Sequence, residues 1–213
     1  MEIVNLLAEA YAEKITSKED ELLQEINKQT SINHPKAHML SGKVQGQFLT
    51  FISSMIKPRT ILEIGTFTGY SALCLAKGLE TGGELHTIEL RESDAKTAQT
   101  FFNLSNQKNE IHLHVGYGLE IIPQIPLKWD LVFIDADKTG YIDYYEMIVP
   151  RLSDKGVIIV DNVLFHGQVL EQPLKGKNAK AIDEFNRHIA EDERTEQVLL
   201  PFRDGLLLIK KKV

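Results

Sequence analysis

"ILEIGTFTGYSALCLA" (residues 61–76) passes from a short apolar run, through a turn with glycines at 65 and 69, into small and apolar residues at helical spacing. Strand, glycine turn and helix in that order open a βαβ unit, in which small residues let a ligand approach free backbone N–H groups. The spacing fits neither of two familiar phosphate cradles. The dinucleotide fingerprint needs G-x-G-x-x-G and the P-loop G-x-x-x-x-G-K-[ST], whereas the turn reads Gly65-Thr66-Phe67-Thr68-Gly69-Tyr70-Ser71. A ligand other than a pyrophosphate has to be considered for it.

Working outward, the strand-like segments are "TILEI" (60–64), "ELHTIE" (84–89), "IHLHV" (111–115), "DLVFID" (130–135) and "GVIIVD" (156–161), with helical segments between them. Short β-branched runs alternating with helices predict a parallel sheet covered on both faces, a doubly wound α/β fold. The C-terminal part differs: "EQVLLPF" and "GLLLIKKK" are separated by little more than Arg203-Asp204. So short a link joins a hairpin, so the sheet should end in an antiparallel strand. Ahead of the sheet, residues 2–14 and 17–30 read as helices, the second with Ser17 as N-cap and Leu22, Leu23 and Ile26 on one face. "NHPKAHMLSGK" interrupts the pattern and "VQGQFLTFISSMI" resumes it. We therefore expect one domain over 1–213, with 1–57 a helical N-terminal extension and 58–213 the α/β core. Residues 167–180, with several lysines and little periodicity, read as a mobile surface loop.

A chain of 213 residues suits one domain with a sizeable core. No apolar run approaches the roughly 18 residues of a membrane span. "MEIVNLLAEAYAEKI" has no basic stretch before its apolar positions, which argues against a signal peptide and for the cytoplasm. The single Cys74, within "SALCLAK", reads as a buried helix residue. A net charge of −6 gives no general attraction to nucleic acid, without excluding a local basic patch.

In open α/β sheets ligands bind beyond the carboxyl ends of the strands. Those ends carry Glu63, Glu89, Asp135 and the pair Asp161-Asn162. Glu89 follows Gly65 by 24 residues, near the distance at which a carboxylate meets an adenosine ribose; a solvated strand-end glutamate is the plain alternative. Asp135, Asp161 and Asn162 offer hard oxygen donors suited to Mg²⁺ or Ca²⁺, although acidic loops are also common on surfaces. His166 could invite a softer metal or be an ordinary loop histidine. Lys138 follows just past the fourth strand, where the plain reading pairs it with Asp137 at the surface.

Four stretches together, "LEIGTFTGYSALCLA", "FIDADKTGYIDYY", "VDNVLFHGQV" and "FRDGLLLIKK", resemble the cation-dependent class I O-methyltransferases, the group of caffeoyl-coenzyme A and catechol O-methyltransferases. The resemblance spans roughly residues 35–213. It implies a Rossmann-like seven-stranded sheet with its last strand antiparallel, S-adenosylmethionine as methyl donor, a divalent cation such as Mg²⁺, Ca²⁺ or Mn²⁺, and a homodimer. By the same resemblance Glu63, Gly65, Thr66 and Ser71 line the methionine part of the donor. Glu89 binds the ribose, Gly116, Tyr117 and Gly118 border the adenine, and Met39 lies in a segment folded over the donor. Asp135, Asp161 and Asn162 match the metal ligands, Asp135 also lying against the donor, and Lys138 matches the general base. Gln45 departs from the pattern, since plant members have an acidic residue there. The implied acceptor is a catechol-like, vicinal dihydroxy aromatic. The alternative is a transfer RNA carrying a wobble 5-hydroxyuridine, with Lys175, Lys177, Lys180 and Arg203 supplying phosphate contacts. A nicotinamide oxidoreductase or a non-catalytic nucleotide-binding module on the same scaffold is a third reading, disfavoured by the incomplete glycine fingerprint and by the Asp161-Asn162 pair.

Overall fold

In the computed structural model, which describes residues 5–212, the alternating segments form a seven-stranded mixed sheet. The elements run α1 (Leu6–Ile15), α2 (Glu21–Asn33), α3 (Gly42–Ile56), β1 (Thr60–Ile64), α4 (Tyr70–Ala76), β2 (Glu84–Glu89), α5 (Glu92–Phe102), β3 (Ile111–Val115) and α6 (Gly118–Ile121). They continue with β4 (Trp129–Ile134), α7 (Tyr141–Ile148), β5 (Leu152–Asp161), α8 (Lys177–Glu191), β6 (Thr195–Leu200) and β7 (Leu206–Lys211). The strand order is β3-β2-β1-β4-β5-β7-β6. Contacts gather into two compact units, Ala10–Ile125 and the residues from 126 on with 5–9. None of the described helices is long and apolar enough to cross a membrane.

In the unit of Ala10–Ile125, β1 pairs in parallel with β2 and β2 with β3, in the register Ile61↔Leu85 and His86↔His112. The last four residues of β1 are all buried, as expected of a strand covered on both faces. Every residue of α4 is buried, Cys74 included, and burial pushes that thiol up to about 12. α3 packs on α4 through hydroxyls as well as apolar contact: Ser53 Oγ donates to Leu75 O at 2.6 Å and Thr50 Oγ1 to Cys74 O at 3.1 Å. The approach needs Gly78, where a Cβ would fall 2.2 Å from Ser53.

One sequence expectation is corrected here. The cap of α2 is Asp20, whose side chain accepts from Leu23 N at 2.9 Å, and the helix starts at Glu21, so Ser17 lies outside it. Leu23 and Ile26 are buried as expected. The first helix is observed from Leu6; residues 2–4 of its expected span lie outside the described residues.

In the second unit β4 pairs in parallel with β5, while β7 is antiparallel to both β5 and β6. The hairpin expected from the closing sequence is there, and its second strand lies between β5 and β6. The register sets Asp161 opposite Leu206, which carries the hairpin link to the end of β5. β4 stops at Ile134, leaving Asp135 as the first residue past it. The expected loop 167–180 is corrected: Phe165–Leu170 form 3₁₀ turns, and Lys177 already begins α8, whose Ala179, Ile182, Phe185 and Ile189 are buried.

Candidate active site

Two groups of polar side chains gather at strand ends, one in each unit. In the first, the turn after β1 is held by β2. Gly65 and Gly69 have φ of 104° and 93°, the left-handed region that favours glycine, and Phe67 between them has φ 49°. Gly65 N and Thr66 N both donate to Ile88 O, at 2.9 and 3.2 Å. Glu63 is fully buried; Thr87 Oγ1 donates to its Oε2 and also meets Thr66 Oγ1, each at 2.5 Å. Glu89, 4% exposed, accepts from Phe67 N on Oε2 at 2.7 Å and from Arg91 N on Oε1 at 2.9 Å. It is therefore no solvated strand-end residue. Each carboxylate oxygen carries two lone pairs, so both retain room for a hydroxyl donor.

Gly116, with φ 146°, donates its N–H to Glu89 O at 2.9 Å, which brings the start of the Gly116-Tyr117-Gly118 segment to the end of β2. Tyr117 is partly exposed and Gly118 buried at the start of α6. Ser71 is 6% exposed in the first turn of α4. Met39, 41% exposed, lies in the 3₁₀ turn Ala37–Met39. The segment after α2 reaches the glycine turn through His34, whose ring meets Phe67 edge-on at 4.6 Å and whose Nε2 lies 3.1 Å from Asp94 Oδ1.

The second group centres on Lys138. Its Nζ donates to Asp135 Oδ1 at 3.0 Å, Asn162 Oδ1 at 2.8 Å and Tyr141 OH at 2.6 Å. Tyr141 OH in turn donates to the Asp161 backbone carbonyl at 3.0 Å. Asp161, 5% exposed, accepts from Asn162 N on Oδ1 at 2.7 Å, and Asn162 takes a left-handed φ of 60°. Asn162 Nδ2 donates to Asp204 Oδ2 at 3.1 Å, and Asp204 Oδ1 accepts from His166 N. The pairing of Lys138 with Asp137 does not occur; Asp137 accepts instead from Tyr144 OH at 2.7 Å. His166 turns its Nδ1 to within 3.6 Å of Asp204. Burial by itself would lower the Lys138 pKa, but the Tyr141 hydroxyl and the Asp135 carboxylate outweigh it and hold the ammonium above the ordinary lysine range.

Asp135, Asn162 and Lys138 are thus one cluster, with Asp161 tied to it through Asn162 N and Tyr141. Two oxygens assigned by sequence to a metal already share a positive charge. Two carboxylates and an amide carbonyl are the donor set of a hard dication, so the residues present fit such an ion. Sequence reasoning missed Tyr141 and Asp204, although both lie inside stretches it singled out. It also missed Thr87 and His34, which no motif marks.

Residues 13–212 match the family model described as O-methyltransferase. Among curated relatives, "Catechol O-methyltransferase domain-containing protein 1" of Mus musculus is 30% identical over 186 residues, covering 85% of this chain and 71% of the relative. A caffeoyl-CoA O-methyltransferase of Stellaria longipes is 26% identical over 205 residues, 91% of this chain and 85% of the relative. Among solved structures, the SAH-bound methyltransferase PaMTH1 of Podospora anserina superposes with a TM-score of 0.90 at 29% identity, over 97% of this chain and 94% of that one.

Proposed function

The chain belongs to the O-methyltransferase family and is an S-adenosylmethionine-dependent enzyme, and from that premise we propose that it needs a divalent cation and methylates a vicinal dihydroxy, catechol-like small molecule. The observation that carries the reading is the sharing of Lys138 Nζ by Asp135 and Asn162 beside the buried Asp161.

In this reading Glu63, Gly65, Thr66 and Ser71 receive the amino-acid end of the donor. Glu89 accepts from the ribose hydroxyls with the lone pairs that Phe67 N and Arg91 N leave unused, and Gly116, Tyr117 and Gly118 border the adenine. Met39 covers the donor, and Asp135 faces it as well as the cation. The donor supplies a methyl group on a sulfonium, a displacement that runs in line, so much of the rate comes from orientation. Asp135, Asp161 and Asn162 hold the cation, which would lower the pKa of the attacking hydroxyl and fix its direction. Lys138 Nζ takes the hydroxyl proton. It can do so only from its amine form, and of the two groups that keep it charged, the Tyr141 hydroxyl and the Asp135 carboxylate, the second is assigned to the ion. Asp204 orients the Asn162 amide so that its oxygen, not its nitrogen, faces the cluster.

The same reading treats 1–213 as one methyltransferase domain extended by 1–57, and as a homodimer. Exposed Phe51 and Met55, one turn apart on α3, support an apolar contact between copies, which sedimentation would measure. The test of function supplies labelled S-adenosylmethionine and Mg²⁺ with a catechol and hydroxycinnamoyl panel, and with bulk transfer RNA in parallel. Label in a catechol product, stopped by a chelator, is expected. Label in transfer RNA alone would replace the proposed acceptor, and chelator-resistant activity would remove the cation.

A further inference from the structure

On the strands that lead to Glu89 and Gly116, β2 and β3 bring four histidine and glutamate side chains to one face of the sheet. The parallel register pairs His86 with His112, and the two-residue period of a strand puts Glu84 on the face of His86 and His114 on that of His112. His86 Nε2 lies 3.1 Å from Glu84 Oε2, and His112 Nε2 lies 3.6 Å from the same oxygen. One ligand atom from each of Glu84, His86 and His112 falls within 4.8 Å of the others. Tetrahedral zinc with bonds of about 2.0–2.2 Å sets its ligand atoms roughly 3.3–3.6 Å apart, so these side chains need only small adjustments.

We propose that Glu84, His86 and His112 form a site for a borderline transition-metal dication of the zinc class, with His114 orienting His86. Two imidazoles and a carboxylate suit zinc, and leave a fourth position for water or a further oxygen. His86 Nδ1 lies 2.9 Å from His114 Nε2. A proton on Nδ1, donated to His114, leaves Nε2 as the lone-pair atom facing Glu84; metal-bound histidines are held by this kind of outer hydrogen bond. β3 is the edge strand of the sheet. A metal bridging Glu84 and His86 to His112 clips that edge strand to its neighbour, at the end of β2 opposite Glu89. The site is therefore one of stability, built from residues other than those around Lys138.

The experiment titrates zinc into chelator-stripped full-length protein held in saturating Mg²⁺, by calorimetry and by competition with a zinc-binding dye. One zinc per chain is expected, with a rise in melting temperature. Removing a residue that merely orients a metal ligand costs about 10–100-fold in affinity, so His112→Ala and Glu84→Gln should each lose at least about tenfold. Both residues are partly exposed, so the variants should melt like the parent in the presence of chelator. Cobalt substitution should give the strong visible absorption of a four-coordinate site in the parent and not in His112→Ala. Equal zinc affinity in parent and both variants overturns the proposal, as does uptake abolished by Asp161→Asn but untouched by His112→Ala.

Discussion

Replacing Gly69 by alanine tests the link between the glycine turn and the core beneath it. A methyl group there would stand 2.7 Å from Phe102 Cε1, 3.0 Å from its Cζ and 3.2 Å from Ala98 Cβ. Phe102 and Ala98 are both fully buried, so neither has open space to move into. The positive φ of 93° adds a second cost. A left-handed conformation costs a residue with a Cβ about 1–2 kcal/mol, and overpacking a core costs about 1–3 kcal/mol. Gly69→Ala should therefore destabilise by about 2–5 kcal/mol. Gly82 supplies the control, with φ of 79° and nothing within 4 Å of an added Cβ. Gly82→Ala should cost only the backbone share, about 1–2 kcal/mol. At about 2–4 °C per kcal/mol for a chain of this size, the melting temperature should fall by roughly 4–20 °C in the first variant and 2–8 °C in the second. Urea unfolding and scanning calorimetry measure both. Phe102→Leu in the Gly69→Ala background should recover part of the steric share. Equal losses for the two glycine variants would refute the reasoning, because the contact with Phe102 would then carry no energy.

Lys138→Met should lower kcat by about 10²–10⁴ while leaving the dissociation constant for S-adenosylmethionine unchanged, as read by turnover and calorimetry; a weaker donor affinity with intact kcat would give the lysine another role. Asp161→Asn should raise the Mg²⁺ concentration needed for half-maximal activity at least about tenfold, and an unchanged metal titration would remove Asp161 from the ligand set. Arg194, hydrogen-bonded to Asp192 and Glu146, holds both carboxyls below their ordinary values. Depressed carboxylates stabilise the fold above their unfolded pKa and lose that contribution as pH falls through the folded one. Arg194 is 46% exposed, so solvent screens the network and Arg194→Met should cost about 1 kcal/mol at neutral pH. The gap from the parent in urea unfolding should close as pH drops below about 4; a gap constant down to pH 3 would contradict the assignment. Cys74 should resist a thiol reagent in the native protein and react on unfolding, and rapid native labelling would contradict its burial.

The strands were legible because period and β-branching are local properties, and β1, β2 and β3 begin and end where the pattern does. The cap of α2 was not, because Ser17 and Asp20 are both competent caps and only the Leu23 N–H shows which is used. The start of α8 was hidden for a related reason: its N-cap is Gly176, which makes no side-chain cap bond, and the lysines of its first turn read as loop. At the site, sequence marked Asp135, Lys138, Asp161 and Asn162 but not their partners. Asp204 lies 42 residues beyond Asn162 and reaches it only because β7 runs back along β5 in the register Asp161↔Leu206. Thr87 is a lone hydroxyl between His86 and Ile88, and its bond to Glu63 follows from the β1–β2 register, which no single segment encodes.

The place of β7 between β5 and β6 also has a consequence in time. Synthesis delivers β6 before β7, yet β6 belongs on the far side of β7. While the chain is being made, the edge of β5 stays open and the first strand to arrive is the wrong neighbour for it. The 42 residues from Asn162 to Asp204 take about 2–8 s at about 5–20 residues per second. For those seconds the Asn162 amide lacks the partner that turns it, and an open strand edge invites mispairing or a chaperone. The glycine turn is translated well before, so the nascent protein has the chain of that turn complete before the polar cluster around Lys138 can gain its last partner, Asp204.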